Sequence, residues 1–418
     1  MTRPRQTPPL KAELNTLRGT SALAVQAVQG ITNIVEQMHG AIVNLALPLQ
    51  AKEAKPHTTR GITGLVYRSV RGVTGLVGWG MDRSLDVVQL PVVSKALAPT
   101  ARQLSGKLKL KSAEPYRETV RAAVNGVLGD TLAATKNPLA IQMQFRQHGL
   151  PLNASAKNNG KLLILVHGLC MNDLQWLHHG KDGGHDHGAM LAQQFGFEPI
   201  YLHYNTGRPI NANGESFAAL LESTLKNWSV PITDLVIIGH SMGGLVTRSA
   251  SHHALQTNQS WVKNLSKLIT LGTPHAGAPL ERAGRGLDFL LSISPYSAPL
   301  AKLGLVRSAG IQNLRDGAVT ASGELPIWPK HVKLYTLACT KQKAPEKSDT
   351  TDLAAPLKRL LGDGLVPVKS ALAQDDQPKL GLPMRIPASR QAVVYETDHF
   401  QMLGSAQVAK HLLRWLRV

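Results

Sequence analysis

Residues 234–248, DLVIIGHSMGGLVTR, constrain the fold more than any other stretch of the chain. An apolar, β-rich run leads straight into Gly239-His240-Ser241-Met242-Gly243, and a helical pattern opens directly after it. A serine set between glycines at such a junction implies a sharp strand-to-helix turn, which crowds its neighbours unless they lack side chains. The turn exposes the Ser241 hydroxyl at a helix N-terminus, where developing negative charge is favoured. Such a junction needs a sheet around it, with helices packed against the strands.

From about Pro151 onward the same alternation recurs. KLLILVH (161–167), EPIYLHY (198–204), DLVIIGH (234–240), LSKLITLG (265–272), VKLYTLA (332–338) and QAVVYET (391–397) read as strands. Between them HGAMLAQQFG, FAALLESTLKNW and MGGLVTRSASHHAL carry apolar residues at three-to-four spacing, as helices do. The expected class is α/β, with βαβ crossovers and a mostly parallel sheet over residues 151–418. Residues 1–150 follow another grammar. Val28, Ile31, Val35, Met38 and Ile42 fall on one helix face, and PYRETVRAAVNGVLGDTLAA is Ala- and Val-rich. This first part reads as an all-helical, basic accessory region.

A serine nucleophile needs donors for the oxyanion and a base with its acid. KLLILVHGLCMN ends a strand in His167-Gly168, so the backbone N–H of Leu169 and that of Met242 are expected to face the oxyanion. His167 is read as orienting this loop. The acid and base are expected after the serine, in that order. His399, in YETDHFQML, directly follows a strand and is preferred as base over His411, which sits inside the last helical pattern. Asp363, in the glycine-flanked loop LGDGLVPVKSAL, is preferred as acid over Asp352, Asp375, Asp376 and Asp398. Asp398 adjoins the histidine, and adjacent side chains on an extended segment point apart.

Taken together, VHGL, GHSMGG, LGTPHAG (271–277), GDGLVPV and the late DHF resemble the α/β-hydrolase superfamily. More narrowly they resemble its lipase-like branch, which includes bacterial triacylglycerol lipases and GPI inositol-deacylase-like esterases. The resemblance covers about residues 160–418. It implies serine-ester hydrolysis through an acyl-enzyme, with Ser241 attacking, His399 moving the proton and Asp363 orienting the imidazole. It also places His167, Gly168, His240 and His275 around the substrate, with LGTPH shaping the acyl pocket and His275 structural. A lid is expected within 276–328, where ERAGRGLDFLLSISPYSAPLAKLGLV is apolar enough to cover a greasy site. The expected substrate is an acyl or hydroxyacyl ester of low water solubility, such as an acylglycerol, a phospholipid or an intracellular polyester. Two alternatives stay open: a lipid- or granule-surface protein with a vestigial hydrolase domain, and an acyltransferase using the same nucleophile.

Composition narrows the partners. The formal charge of +19 favours an anionic one, such as acidic lipid or a charged particle surface. No zinc-finger spacing, helix-turn-helix pattern or RNA-binding aromatic motif is present, so nucleic acid is not expected. HHGKDGGHDHGAM (178–190) crowds His178, His179, Asp182, His185, Asp186 and His187 together, but in a glycine-rich run beside the oxyanion strand it reads as the pocket entrance. No metal or other cofactor is expected. Two cysteines, Cys170 and Cys339, in apolar strand-like settings read as reduced, and no apolar signal region follows the basic N-terminus. The expected location is cytoplasmic, with peripheral attachment to a membrane or granule as its extension.

GITGLV (61–66) and GVTGLV (72–77) repeat at eleven residues, almost three helical turns. Ile62, Leu65, Val66, Val73, Leu76 and Val77 then share one apolar stripe, flanked by Arg68, Arg71 and Arg83. Arginine within the run argues against a spanning helix. The stripe either packs on other parts of the protein or lies in a lipid or granule interface.

Overall fold

The computed structural model describes residues 15–25, 114–154, 159–176, 186–277, 308–344, 362–374 and 386–417, with isolated positions at 29 and between 68 and 83. Two compact units are present: Met1–Ala113 with Ala134–Leu139, and Glu114–Ala133 with Ala140–Val418. In the first, residues 15–25 are helical, and the Asn137 side-chain amide donates to the Gly19 carbonyl at 3.0 Å. Leu76 and Trp79 are 67% and 62% exposed, and the Arg83 guanidinium lies 5.8 Å from the Trp79 ring centre.

The second unit holds an eight-stranded sheet. Its strands are β1 (Gln144–Gln147), β2 (Leu150–Pro151), β3 (Lys161–Val166), β4 (Glu198–His203), β5 (Asp234–His240), β6 (Leu265–Leu271), β7 (Lys333–Cys339) and β8 (Gln391–Val394). They lie in the order β2-β1-β4-β3-β5-β6-β7-β8. Strands β4 to β8 run parallel; β1 and β2 add an antiparallel edge. The expected α/β class with a mostly parallel sheet is what forms. The six strands read from the sequence all appear, each within a few residues of its expected ends. β1 and β2 have too short a pattern to signal themselves.

Burial on both faces explains why the strands are continuously apolar. Side chains alternate across the sheet, so Leu162, Ile164 and Val166 of β3 with Leu235 and Ile237 of β5 join one core. Leu163, Leu165, Val236 and Ile238 join the other. The first core is covered by α1 (Glu114–Ala134), α3 (Ile210–Lys226) and α4 (Met242–Gln256), which contribute Val127, Phe217, Leu221, Leu245 and Val246. The second is covered by α2 (His187–Phe195) and α7 (Ala406–Leu416), through Leu191, Val408, Leu412 and Trp415. Two shorter helices, α5 (Ala309–Asp316) and α6 (Val368–Ala371), lie in the connections before β7 and β8. No helix among the described residues is long and apolar enough to cross a membrane.

The chain leaves β3 for β4 on one side and then returns to place β5 on the other. Such a reversal is where open α/β sheets hold their ligands, outside the carboxyl ends of the strands. Gly168, His240 and Ser241 lie at the ends of β3 and β5, on either side of it.

Candidate active site

β5 delivers Ser241 to the first turn of α4 with φ 52° and ψ −124°, a region that residues with a Cβ seldom occupy. Two backbone bonds hold it there. The Ser241 N–H donates to the Leu271 carbonyl at the end of β6 (2.9 Å), and the Gly244 N–H donates to the Ser241 carbonyl (3.1 Å). The turn also needs glycine for room: a Cβ on Gly243 would overlap the Val166 carbonyl of β3. The leading N–H groups of α4, Met242 first, have no acceptor within the helix.

Asp363 and His399 arrive on the loops that precede and follow β8. The His399 Nδ1 lies 2.7 Å from Asp363 Oδ2, and both residues are buried. A carboxylate accepts only, so this contact assigns a proton to Nδ1. The other carboxylate oxygen, Oδ1, accepts the backbone N–H groups of Leu365 and Val366, each at 2.9 Å. The His399 N–H in turn donates to the Asp363 carbonyl at 3.3 Å. Asp363 is thus fixed at both oxygens before it meets the imidazole.

The neighbour of the serine joins the same group. His240 Nε2 donates to the His399 carbonyl at 2.9 Å, and the two rings are 4.7 Å apart between centres. Burial, with the adjacent His399 second, holds His240 well below the usual histidine range, so it is neutral. The loop after β3 lies against the serine on the other side: a Cβ on Gly168 would sit 3.0 Å from the Ser241 Cβ and 3.1 Å from His240 Nδ1. His167 is fully buried there, stacked on Tyr204 at 4.5 Å. Its Nδ1 donates to the Gly168 carbonyl (3.0 Å), and its own carbonyl accepts the Tyr204 hydroxyl (2.8 Å). Burial pushes His167 down to about 3.

Around these contacts the sheet order, the reversal between β3 and β5 and the serine at a left-handed strand-to-helix turn define one architecture. The second unit has the α/β-hydrolase fold. Residues 157–312 match the family described as PGAP1-like alpha/beta domain. That match spans the loop after β3 and Ser241 and ends before Asp363 and His399. The chain is similar to the mature lipase BlEst2 of Bacillus licheniformis at 19% identity, over 66% of this chain and 98% of that one, with a TM-score of 0.42. It is similar to a malate-bound thermophilic esterase of Thermogutta terrifontis at 15% identity, over 66% and 93%, TM-score 0.37. A Pyrococcus furiosus esterase matches at 14% identity, over 62% and 82%, TM-score 0.36. No curated protein matches the chain significantly.

Other sequence-selected residues of the hydrolase unit take the following places. His275 is fully buried between α4 and β6, with Nδ1 at 3.3 Å from Arg248 Nη1 and Nε2 at 3.1 Å from the Thr270 hydroxyl. Burial and then the Arg248 charge hold it well below the usual range, so it too is neutral. Asp398 Oδ1 accepts the N–H groups of Phe400 (2.9 Å) and Gln401 (2.8 Å), which engages it in its own turn. His411 lies on α7 beside Trp415, 5.8 Å between ring centres. Asp352, Asp375, Asp376, most of the expected lid (278–307), most of the histidine-rich loop (177–185) and most of the eleven-residue repeat lie outside the described residues. Of that loop, Asp186 caps α2 by accepting the Ala189 N–H, and His187 Nε2 donates to the Met402 carbonyl, each at 3.0 Å.

The sequence reading did not single out Tyr204, Thr206 and Arg248. The first two lie at the end of EPIYLHY and two residues past it, where the pattern marks the end of a strand but not which side chain turns inward.

Proposed function

We propose that this chain is a serine carboxylester hydrolase that works through an acyl-enzyme on an ester of low water solubility. The observation that carries the reading is the buried 2.7 Å contact between His399 Nδ1 and Asp363 Oδ2, in a loop bonded to the residue next to Ser241. In the first half-reaction the Ser241 Oγ attacks the ester carbonyl carbon while its proton passes to His399 Nε2. Asp363 holds the imidazole through Nδ1–H and stabilises the imidazolium that forms. The carbonyl oxygen becomes an oxyanion facing the N–H groups of Leu169 and Met242. Collapse breaks the ester C–O bond, and the leaving alcohol takes the proton from His399. Water then repeats the sequence on the acyl-enzyme and releases the acid.

The first unit supports a substrate held at a surface. Its exposed Leu76 and Trp79, with Arg83 beside the indole, suit an anionic lipid or granule interface. Hydrolysis of p-nitrophenyl esters of increasing chain length, presented dissolved and emulsified, tests both parts. Activity is expected to rise on emulsified long-chain esters. Replacing Leu76 and Trp79 by Asp lowers that activity and spares the dissolved short-chain esters. No hydrolysis of any ester defeats the enzymatic reading; an unchanged emulsion rate in the variant defeats the interfacial one.

A further inference from the structure

The loop that offers Leu169 is clamped from behind by a segment outside the expected catalytic part of the chain. Cys170, directly after Leu169, has φ 59°, a left-handed conformation disfavoured for a residue with a Cβ. Its N–H donates to the Thr206 hydroxyl at 3.1 Å, across 36 residues of sequence. The Met171 N–H donates to the Gly168 carbonyl (3.3 Å), whereas among the described residues no such bond engages Leu169. The loop therefore has the amides of Cys170 and Met171 tied down, whereas that of Leu169 carries no such bond.

The back of Cys170 rests on α1. A Cβ on Gly126 would overlap the Cys170 Sγ and come within 3.0 Å of its backbone. A Cβ on Gly129 would overlap the Asn205 side chain, whose amide donates to the Gly129 carbonyl at 2.8 Å. Asn205 Oδ1 also accepts the Gly207 N–H (3.1 Å), so the loop carrying Thr206 is braced on both sides of it. The start of α5 completes the brace: the Ser308 hydroxyl donates to the Gly126 carbonyl (2.7 Å), the Ala309 N–H to Asp130 Oδ2 (2.8 Å) and the Gly310 N–H to the Gly207 carbonyl (3.0 Å). Thr206 itself is 1% exposed, so water does not compete for its hydroxyl.

We infer that Thr206 is a positioning residue for the oxyanion donor, and that the glycine face of α1 is the backstop against which it holds the Leu169–Cys170 turn. The inference rests on the proposed reading of Ser241 as nucleophile and Leu169 N–H as oxyanion donor. It assigns to α1 a part in transition-state stabilisation. Thr206 does not touch the reacting atoms; its hydroxyl fixes the Cys170 amide plane and thereby aims the preceding N–H. A donor swung away from the oxyanion loses stabilisation that the bound ester never used, so the effect falls on kcat and not on KM.

The test uses the full chain and a soluble p-nitrophenyl ester, with Thr206→Val, Thr206→Ser and Ser241→Ala. Thr206→Val keeps the shape and removes the acceptor; it is expected to lower kcat by roughly 10–100-fold, below the ~10²–10³ of losing a donor outright, with KM within about twofold. A boronic acid that forms a tetrahedral adduct loses affinity in parallel. Thr206→Ser, which keeps the hydroxyl, stays near wild type. Should Thr206→Val fail to fold, Gly126→Ala serves instead: it pushes Cys170 forward and lowers kcat, and pairing it with Cys170→Gly recovers most of the loss. Wild-type kcat in Thr206→Val overturns the inference, as does an equal loss in Thr206→Ser or, in the substitute cycle, no recovery with Cys170→Gly. If the wild type and Ser241→Ala hydrolyse the ester equally, the underlying functional reading fails instead.

Discussion

Ser241, Asp363 and His399 each owe their place to a different local device. The serine is held at positive φ by bonds to Leu271 and Gly244, the aspartate by two backbone N–H groups, and the histidine by that aspartate and by His240. Asp363→Asn tests the second device. The amide keeps the shape but presents a donor where an acceptor is needed, which disfavours the Nδ1–H tautomer of His399. With the proposed mechanism, kcat falls by about 10³–10⁴-fold while the protein stays folded. Steady-state kinetics beside a thermal melt check this, and a loss below tenfold speaks against Asp363 as the acid. Much of this pairing is legible in the sequence. A glycine-flanked aspartate in a late loop and a histidine just past the last strand are what chain order and turn chemistry select. What stays hidden is the bracing of Asp363, because Leu365 and Val366 act through backbone that their side chains do not advertise. Thr206 is hidden for another reason: its partner is 36 residues away, and no periodicity reports such a bond.

Among the elements, the carboxyl ends of β3, β5 and β6 each carry a buried neutral histidine: His167, His240 and His275. Burial is the first cause of the downward shift in all three. A histidine depressed in the folded state takes up its proton only on unfolding. Stability is therefore complete above the ordinary value of 6.5 and declines as pH falls below it, for His167 down to about 3. Each group contributes a slope of up to about 1.4 kcal/mol per pH unit in that window. Urea midpoints are expected to be flat from pH 8 to 7 and to fall steadily from pH 6 to 5. A midpoint unchanged at pH 5 contradicts the burial of these rings as neutral groups. The strands themselves announce their ends in the sequence, since a strand covered on both faces must be apolar throughout. β1 and β2 do not, because a strand of four residues or fewer has room for only one or two alternations. The pattern of α1 is also plain, but not the use of its glycines, which depends on loops that meet it only in the folded chain.

At the scale of the whole molecule the alternation of strands and helices predicts a parallel sheet, and short right-handed crossovers limit its topology. The reversal that puts β4 and β5 on opposite sides of β3 is not written in any one segment; it follows from packing helices on both faces. The site sits at that reversal, where the loops after β3 and β5 part. The net charge of +19 belongs to the chain and not to the site, whose described core sets the paired Asp363 and His399 beside Ser241 and the neutral His240. In the proposed function, recognition of an anionic surface falls to the first unit and chemistry to the second. That function turns on Ser241 as a nucleophile activated by His399 and Asp363. The most direct measurement is labelling by a fluorophosphonate followed by mass analysis of the modified peptide. One equivalent on Ser241, abolished in Ser241→Ala and slowed by Asp363→Asn, is the result expected. Labelling at another residue, or none in a folded wild-type protein, would contradict it.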